Sequence, residues 1–447
     1  MTTLATPARF GWHVSETVRI GLPLAAAQLA QIAMGVTDTA LLGTIGPDAV
    51  AAGGLAASIE ISTLVVLQGV LAAVSALVAQ AIGAGRKREI PVLYWTGLFL
   101  AVALMVPAFI LFDNGEALLL AVGEPPALAE ATGRFLTCLK WCIPGAMLGT
   151  GLQRAFLPAV DAGWIIFPVT LAGAVLNFVL CYGFINGQFG LPALGFIGPA
   201  VATSIVLTAT AAALTLFAHT GSRASLVRWT QPQLASLRAL LRLGLPIGAT
   251  YAVETTLFLA VALLLGLLGP VALAAQQVAL MTVSVAFMIP LGISQAANVR
   301  VGHAVGARDP VAARRAGIAA ITLGGGAEIT FAAIGLLAPG AIVGLFLAPG
   351  PAFTTATDLL RVAAMFQIAD GVQTVAGGAL RGLGDTRTPF LLTAFGYWAV
   401  GFPAAWYLTL HTGLGASGAW WGLAIGLITV AILLTTRFLT RTAHPQL

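Results

Sequence analysis

Carboxylates interrupt the apolar runs of this chain at five positions. Asp38, Glu254 and Asp370 each fall inside a stretch that otherwise has the composition of a membrane-spanning helix, and so do Glu60 and Glu328. Placing a charged carboxylate at the centre of a bilayer costs about 2.5–3.5 kcal/mol on insertion scales, so such residues usually serve a function. The first three predict transport of charged species. For Glu60 and Glu328, a functional role and a position near lipid headgroups both remain open.

The elements that must position these acids are transmembrane helices. The 447 residues are 59% hydrophobic and only 8% charged, which is too little charge for the surface of a soluble domain. About 20 apolar residues cross a bilayer core of about 30 Å, and lipid forces such segments to be helical. The sequence therefore predicts an all-α integral membrane protein with twelve transmembrane helices, at roughly 17–42, 50–81, 91–112, 130–154, 163–186, 194–219, 240–267, 271–299, 313–338, 357–381, 389–411 and 415–438.

The cationic residues predict the orientation of these helices. Of the 21 Lys and Arg, all except Arg134, Lys140 and Arg361 fall in the terminal segments, in loops after even-numbered spans, or at the ends of spans on that same side. By the positive-inside rule, both termini are cytoplasmic. The net charge of +5 follows from this pattern and predicts no nucleic-acid partner.

The chain also repeats itself at a shift of 223 positions. Arg19–Ala27 (RIGLPLAAA) aligns with Arg242–Thr250 (RLGLPIGAT), and the Gly46–Pro47 pair aligns with Gly269–Pro270. The repeat predicts two six-helix lobes, residues 1–218 and 239–447, joined by a cytoplasmic linker at 219–238. Paired bundles of this kind place the substrate path at their interface and can rock against each other.

Polar residues in the first lobe have the spacing to support Asp38. Gln31 lies seven residues before Asp38, on nearly the same helix face, and the repeat maps Gln31 onto Glu254. Asn177 and Thr203 add neutral oxygens on two later helices. Asp38 with Asn177 and Thr203 is therefore a candidate sodium cage, with plain hydrogen bonding between helices as the alternative.

In the second lobe, Gln367 and Gln373 lie three positions on either side of Asp370 and can share its face. If Glu254 and Asp370 approach each other, repulsion and desolvation favour binding of a proton by the pair. The coupling cation thus stays open between H⁺ and Na⁺, with Na⁺ placed at Asp38 or Asp370.

Several kinds of chemistry have no counterpart in the sequence. No GxxxxGK[ST] phosphate-binding motif occurs, so ATP is not expected to be the energy source on this chain. No GxSxG or HExxH motif appears either. The chain is predicted not to be an enzyme and to need no cofactor beyond its coupling ion.

Three segments carry a resemblance to a known family: QIAMGVTDTALLG around Asp38, GLPIGATYAVETTLF around Glu254, and QIADGVQTVAGGALRGLGDTRTPF around Asp370. With them the chain resembles the multidrug and toxic compound extrusion (MATE) family, in its NorM-like bacterial branch. The resemblance implies a monomeric antiporter of the bacterial inner membrane, embedded in lipid, that exports lipophilic cationic drugs and dyes in exchange for Na⁺ or H⁺.

The resemblance also implies roles for the three acids. The position of Asp38 is associated with the ion site of the first lobe, and those of Glu254 and Asp370 with that of the second. Gly173 and Phe366 replace an Asn and a Tyr that are common in this branch, which removes oxygens from both sites and favours H⁺ over Na⁺.

Two alternatives remain at this point. A lipid-linked oligosaccharide flippase of the same superfamily would need Arg or Lys inside the bundle to bind anionic headgroups, and the sequence places its cations at loops or span ends. A non-transport membrane scaffold or an intramembrane enzyme would leave the buried acids unexplained.

Overall fold

The computed structural model describes residues 10–443. This range is almost entirely helical and contains no β-strand. The α-helices are α1 (Phe10–Gly43), α2 (Pro47–Leu71), α3 (Ala73–Gly83), α4 (Glu89–Asp113), α5 (Gly115–Val122), α6 (Pro126–Leu139), α7 (Cys142–Gly145), α8 (Arg154–Ala159), α9 (Ile166–Asn186), α10 (Gly198–Ala218), α11 (Leu234–Gly266), α12 (Pro270–Gly306), α13 (Pro310–Leu337), α14 (Pro339–Val343), α15 (Pro351–Gly382), α16 (Arg387–Ala394), α17 (Phe402–His411) and α18 (Ala416–Arg441).

Each of the twelve predicted spans has a helical counterpart. Within residues 10–443, nine helical segments are long and apolar enough to cross a membrane, and the pair Pro126–Leu139 and Cys142–Ala159, bent by 51°, makes a tenth if it is one span. The other two predicted spans coincide with α15 and with the continuous helical run 387–411. The fourth span extends past its predicted end, so Arg154 lies within the helical run.

Two of these spans contain π-helical turns. Residues Ala146–Gln153 connect α7 to α8, and residues Phe395–Gly401 connect α16 to α17. A π-turn inserts extra backbone into a helix and rotates the side chains that follow it, and such turns are frequent at functional sites. The second π-turn carries Tyr397, which belongs to the polar network described below.

The equivalent Gly–Pro pairs of the repeat both start long helices. Gly46 has φ 152° and precedes α2, and Gly269 has φ 101° and precedes α12. Both φ angles fall in a region that residues with a Cβ rarely adopt. Each following proline occupies the first turn of its helix, where its missing N–H costs no hydrogen bond.

The chain forms two compact units. The N-unit comprises Ala27–Ala81 and Arg86–Gly248, and the C-unit comprises residues 10–26, Ile82–Gly85 and residues 249–443. The lobe limits derived from the repeat divide the chain differently and stay a prediction.

The predicted linker is held against the N-unit. The indole Nε1–H of Trp95 on α4 lies 3.0 Å from the Val227 carbonyl oxygen and 3.2 Å from that of Arg228. The ring of Trp229 packs edge-on against Trp95 with centroids 4.4 Å apart. The backbone N–H of Gln233 donates to Thr96 Oγ1 at 3.3 Å. α11 then begins at Leu234, before the predicted end of the linker.

Candidate functional site

In the N-unit, two helices bring hydrogen-bond donors to Asp38 on α1. Asn177 Nδ2 on α9 donates to Asp38 Oδ1 at 2.6 Å, and Thr203 Oγ1 on α10 donates to Asp38 Oδ2 at 2.9 Å. Cys181, one helical turn after Asn177, points its Sγ at Asp38 Oδ1 from 3.0 Å. Asp38, Asn177 and Thr203 therefore lie together as the sequence predicts, and Cys181 joins them.

Gln31 has a different partner. Its Oε1 accepts a hydrogen bond from Arg154 Nη1 at 2.8 Å, and the same guanidinium donates to Gln28 Oε1. Arg154 thus inserts a cation into the N-unit about two turns along α1 from Asp38. The sequence places this arginine at the end of the fourth span, and the helical run continues past it through α8 to Ala159.

In the C-unit, a chain of hydrogen bonds leads to Asp370. The Tyr397 hydroxyl donates to Gln373 Oε1 at 2.9 Å, and Gln373 Nε2 donates to Asp370 Oδ1 at 3.0 Å. All three side chains are buried. The Tyr397 hydroxyl also faces the Glu254 carboxylate on α11. Tyr397 therefore links the two acids that the sequence places in this half of the chain.

Glu254 interacts electrostatically with two charged residues, Asp370 and Arg381. Arg381, near the end of α15, donates to the Tyr251 hydroxyl at 3.1 Å and to Ser294 Oγ at 2.8 Å. Tyr251 lies one turn before Glu254 and is equivalent by the repeat to Gln28, the partner of Arg154. Each unit therefore anchors an arginine at the same position of a repeat-related helix.

The remaining candidate residues lie close to these clusters. Glu60 on α2 receives a long hydrogen bond, 3.5 Å, from Cys142 Sγ. Glu328 on α13 is buried and is faced by Gln367 of α15. Phe366, one turn before Asp370, is buried and packs against Trp420 with ring centroids 6.0 Å apart. Tyr397, from a different helical segment, supplies a hydroxyl to the cluster through Gln373.

The sequence reasoning missed Cys181 and Tyr397. Cys181 carries a usable signal, because it stands four residues after Asn177 and so shares its helix face. Tyr397 has no such signal in the sequence, because it is one of several aromatic residues in an apolar run.

The charges of the C-unit cluster indicate what it can bind. Glu254 and Asp370 are two carboxylates, and the charged partner of opposite sign is Arg381. When both acids are ionised, one negative charge therefore lacks a counter-charge in a buried setting. Burying an uncompensated charge is costly, so this site favours taking up a cation, either a proton or a positively charged ligand.

Comparison with known families agrees with this architecture. The MatE family model matches residues 23–183 and 246–407. The chain therefore belongs to the MatE family, and the predicted family resemblance is confirmed.

Among curated proteins, the chain is 49% identical over 447 residues to the multidrug resistance protein NorM of Burkholderia vietnamiensis, covering 99% of this chain and 97% of that protein. It is 42% identical over 441 residues to the probable multidrug resistance protein NorM of Pseudomonas putida, covering 95% of each.

Solved structures share the fold at lower identity. The eukaryotic MATE transporter AtDTX14 matches with a TM-score of 0.88 and 22% identity, over 98% of this chain and 99% of that one. An outward-facing multidrug resistance MATE family transporter of the MOP superfamily matches with a TM-score of 0.90 and 20% identity, over 97% of each chain. The predicted all-α, MATE-like fold class is confirmed by these matches.

Proposed function

We propose that this chain is a secondary multidrug efflux transporter that exports lipophilic cationic drugs in exchange for protons. Identity of 49% along nearly the whole chain to a multidrug resistance protein supports the drug efflux activity. Its family and relatives are transporters, and the chain is a multi-pass membrane protein.

The observation that carries proton coupling is the charge balance of the C-unit cluster. Glu254 interacts with Asp370 and with one arginine, so the two acids have room for one further positive charge. A proton and a cationic drug would compete for that charge, and mutually exclusive binding is what an antiporter requires. The C-unit acids are the main proton carriers in this proposal.

The surroundings of Asp38 also favour a proton over sodium. Sodium needs several oxygen lone pairs directed at it. The three side chains that meet Asp38 instead present an amide N–H, a hydroxyl and a thiol to its two oxygens. We expect Asp38 to contribute to the coupling of drug efflux to protons, but less than Glu254 and Asp370 do.

The test is ethidium efflux from proteoliposomes that contain the full-length protein, driven by a pH gradient or by a Na⁺ gradient. We expect the pH gradient alone to drive efflux, and Asp370→Asn and Glu254→Gln to abolish it. Efflux driven only by Na⁺ would refute proton coupling. Glu130→Gln, which changes an exposed acid on α6, is the matched control and should behave like wild type.

A second candidate function has one observation in its favour. Arg154 and Arg381 lie inside the helical units, and internal cations are what a flippase for anionic lipid-linked sugars would need. Absence of ethidium efflux with either gradient would favour that function.

The cellular placement is part of the proposal. The inner membrane of a bacterium, with both termini cytoplasmic, is supported by the distribution of Lys and Arg along the chain. Reporter fusions after Arg441 and within the segment 113–125, which includes α5, should be active on opposite sides of that membrane.

A further inference from the structure

Glu328 is a buried acid that the proposed mechanism does not yet use. Its side chain, on α13, is only 1% exposed. Neither of its carboxylate oxygens has a hydrogen-bond partner within the described part of the chain. Most buried polar groups are satisfied, so an acid with two unsatisfied oxygens calls for an explanation.

Close packing of α13 on α15 brings Glu328 to the Asp370 cluster. A Cβ added to Gly324 would lie 2.5 Å from Val375 Cγ2, and one added to Gly371 would lie 2.7 Å from Glu328 Cγ. Gly371 immediately follows Asp370. The two glycines therefore let α13 and α15 approach closely, with Glu328 Cγ against Gly371.

The groups that face Glu328 provide no counter-charge. They are the Gln367 amide and the Asp370 carboxylate, both on α15. An ionised Glu328 would have only the neutral Gln367 amide beside it and would be repelled by Asp370 when that residue is charged. An unpaired buried charge is costly, and a proton removes it.

We propose that Glu328 is a second proton-binding carboxylate of the C-unit, coupled to Asp370, and that its proton is exchanged during the transport cycle. Each of the two acids ionises more easily when the other is neutral, so they titrate as a pair. The role of Glu328 in transport rests on the proposed function, in which drug is exchanged for protons. The binding of a proton at Glu328 does not rest on that function.

The transport test is the limiting ethidium gradient in proteoliposomes at a fixed pH gradient, with the membrane potential clamped at zero. This limit is thermodynamic and does not depend on the amount of active protein. If Glu328→Gln removes one proton from each cycle, the limit falls about tenfold for a gradient of one pH unit. The Glu130→Gln control should leave the limit unchanged, and an unchanged limit in Glu328→Gln would overturn the proposal.

A second measurement tests proton binding at Glu328 directly. It applies if Glu328→Gln shows no ethidium transport, or if ethidium transport by the wild type does not depend on the pH gradient. Infrared spectra of the purified full-length protein are recorded during a pH titration, following the C=O band of protonated carboxyl groups. We expect Glu328→Gln to lose about one group from the titrating band. In Asp370→Asn, the band of Glu328 should disappear at lower pH, because the repulsion from Asp370 is gone.

Gly371→Ala provides a variant that keeps both acids. Its new methyl group would lie 2.7 Å from both Glu328 Cγ and the Gly324 carbonyl oxygen, so α13 must shift at Glu328. The interaction between Glu328 and Asp370 in the titration should change, while the number of titrating groups stays the same. An infrared titration identical in wild type and Glu328→Gln would show that Glu328 does not exchange its proton, whatever the result for efflux.

Discussion

Replacing Tyr397 by Phe tests the hydrogen-bond chain from Tyr397 through Gln373 to Asp370 in the C-unit. Tyr397 is the member of that chain that the sequence did not predict. The hydroxyl of Tyr397 donates to Gln373 Oε1 at 2.9 Å, and the tyrosine is only 1% exposed. Phenylalanine keeps the ring and its packing but leaves the Gln373 oxygen without this donor. Leaving a buried acceptor unsatisfied costs about 1–3 kcal/mol. We expect the free energy of unfolding to fall by that amount.

A separate effect of similar energy is expected on transport. Gln373 positions Asp370, and the Tyr397 hydroxyl also faces Glu254, so its loss uncouples the two acids. A coupling energy of about 1–3 kcal/mol corresponds to a change of about 5–150-fold. The assay is the initial rate of ethidium efflux from proteoliposomes, normalised to folded protein, with thermal unfolding measured on the same samples.

The chain offers a matched control in the N-unit. Tyr94 is equally buried, and its hydroxyl accepts from Gln153 Nε2 at 2.9 Å. No acid takes part in this pair, and Gln153 keeps a second bond to Thr215 Oγ1 at 3.0 Å. Tyr94→Phe should therefore cost about 0.5–1.5 kcal/mol of stability and leave normalised efflux unchanged. Equal losses of efflux in both variants, or wild-type efflux in Tyr397→Phe, would refute this reasoning.

Two further predictions concern hydrogen bonding and packing within single units. Cys181→Ser should retain efflux because a hydroxyl can replace the thiol as donor to Asp38. Cys181→Val should lose this hydrogen bond, worth about 1 kcal/mol, and the efflux rate should fall about fivefold. Equal efflux rates in the two variants would argue against a role for this donor. Gly378→Ala should lower the free energy of unfolding by about 1–3 kcal/mol, because its Cβ would collide with Ser294. Gly377→Ala, whose Cβ has only Leu434 Cδ1 at 3.9 Å, should be neutral or slightly stabilising in the same thermal unfolding assay.

The helices of this fold could be predicted from the sequence because the membrane leaves few choices. Lipid provides no hydrogen-bond partner for the backbone, so each long apolar run must become a helix. The Gly46–Pro47 and Gly269–Pro270 pairs also behave as their residue types dictate, since each starts a long helix. The break near Leu139 and the π-turns could not be predicted, because they depend on how neighbouring helices pack.

The candidate site was predictable for the acids and less so for their partners. Asp38, Glu254 and Asp370 are conspicuous because charge is rare in apolar segments. The partner of Gln31 depends on how far the fourth span continues, and this span runs past Arg154 instead of ending there. Tyr397 reaches its partners from a π-turn, whose rotation of the following side chains no 3.6-residue periodicity can reveal.

The interleaving of the two units has a consequence for making the protein in pieces. Residues 10–26 belong to the C-unit, and residues 231–248 belong to the N-unit. A chain cut near Thr230 would therefore give two fragments. The first fragment carries a part of the C-unit, and the second carries a part of the N-unit. We expect such fragments, co-expressed from separate genes, to assemble without a covalent tether. Residues 227–229 and Trp95 would both belong to the first fragment, so a cut just beyond residue 229 keeps the contacts between them.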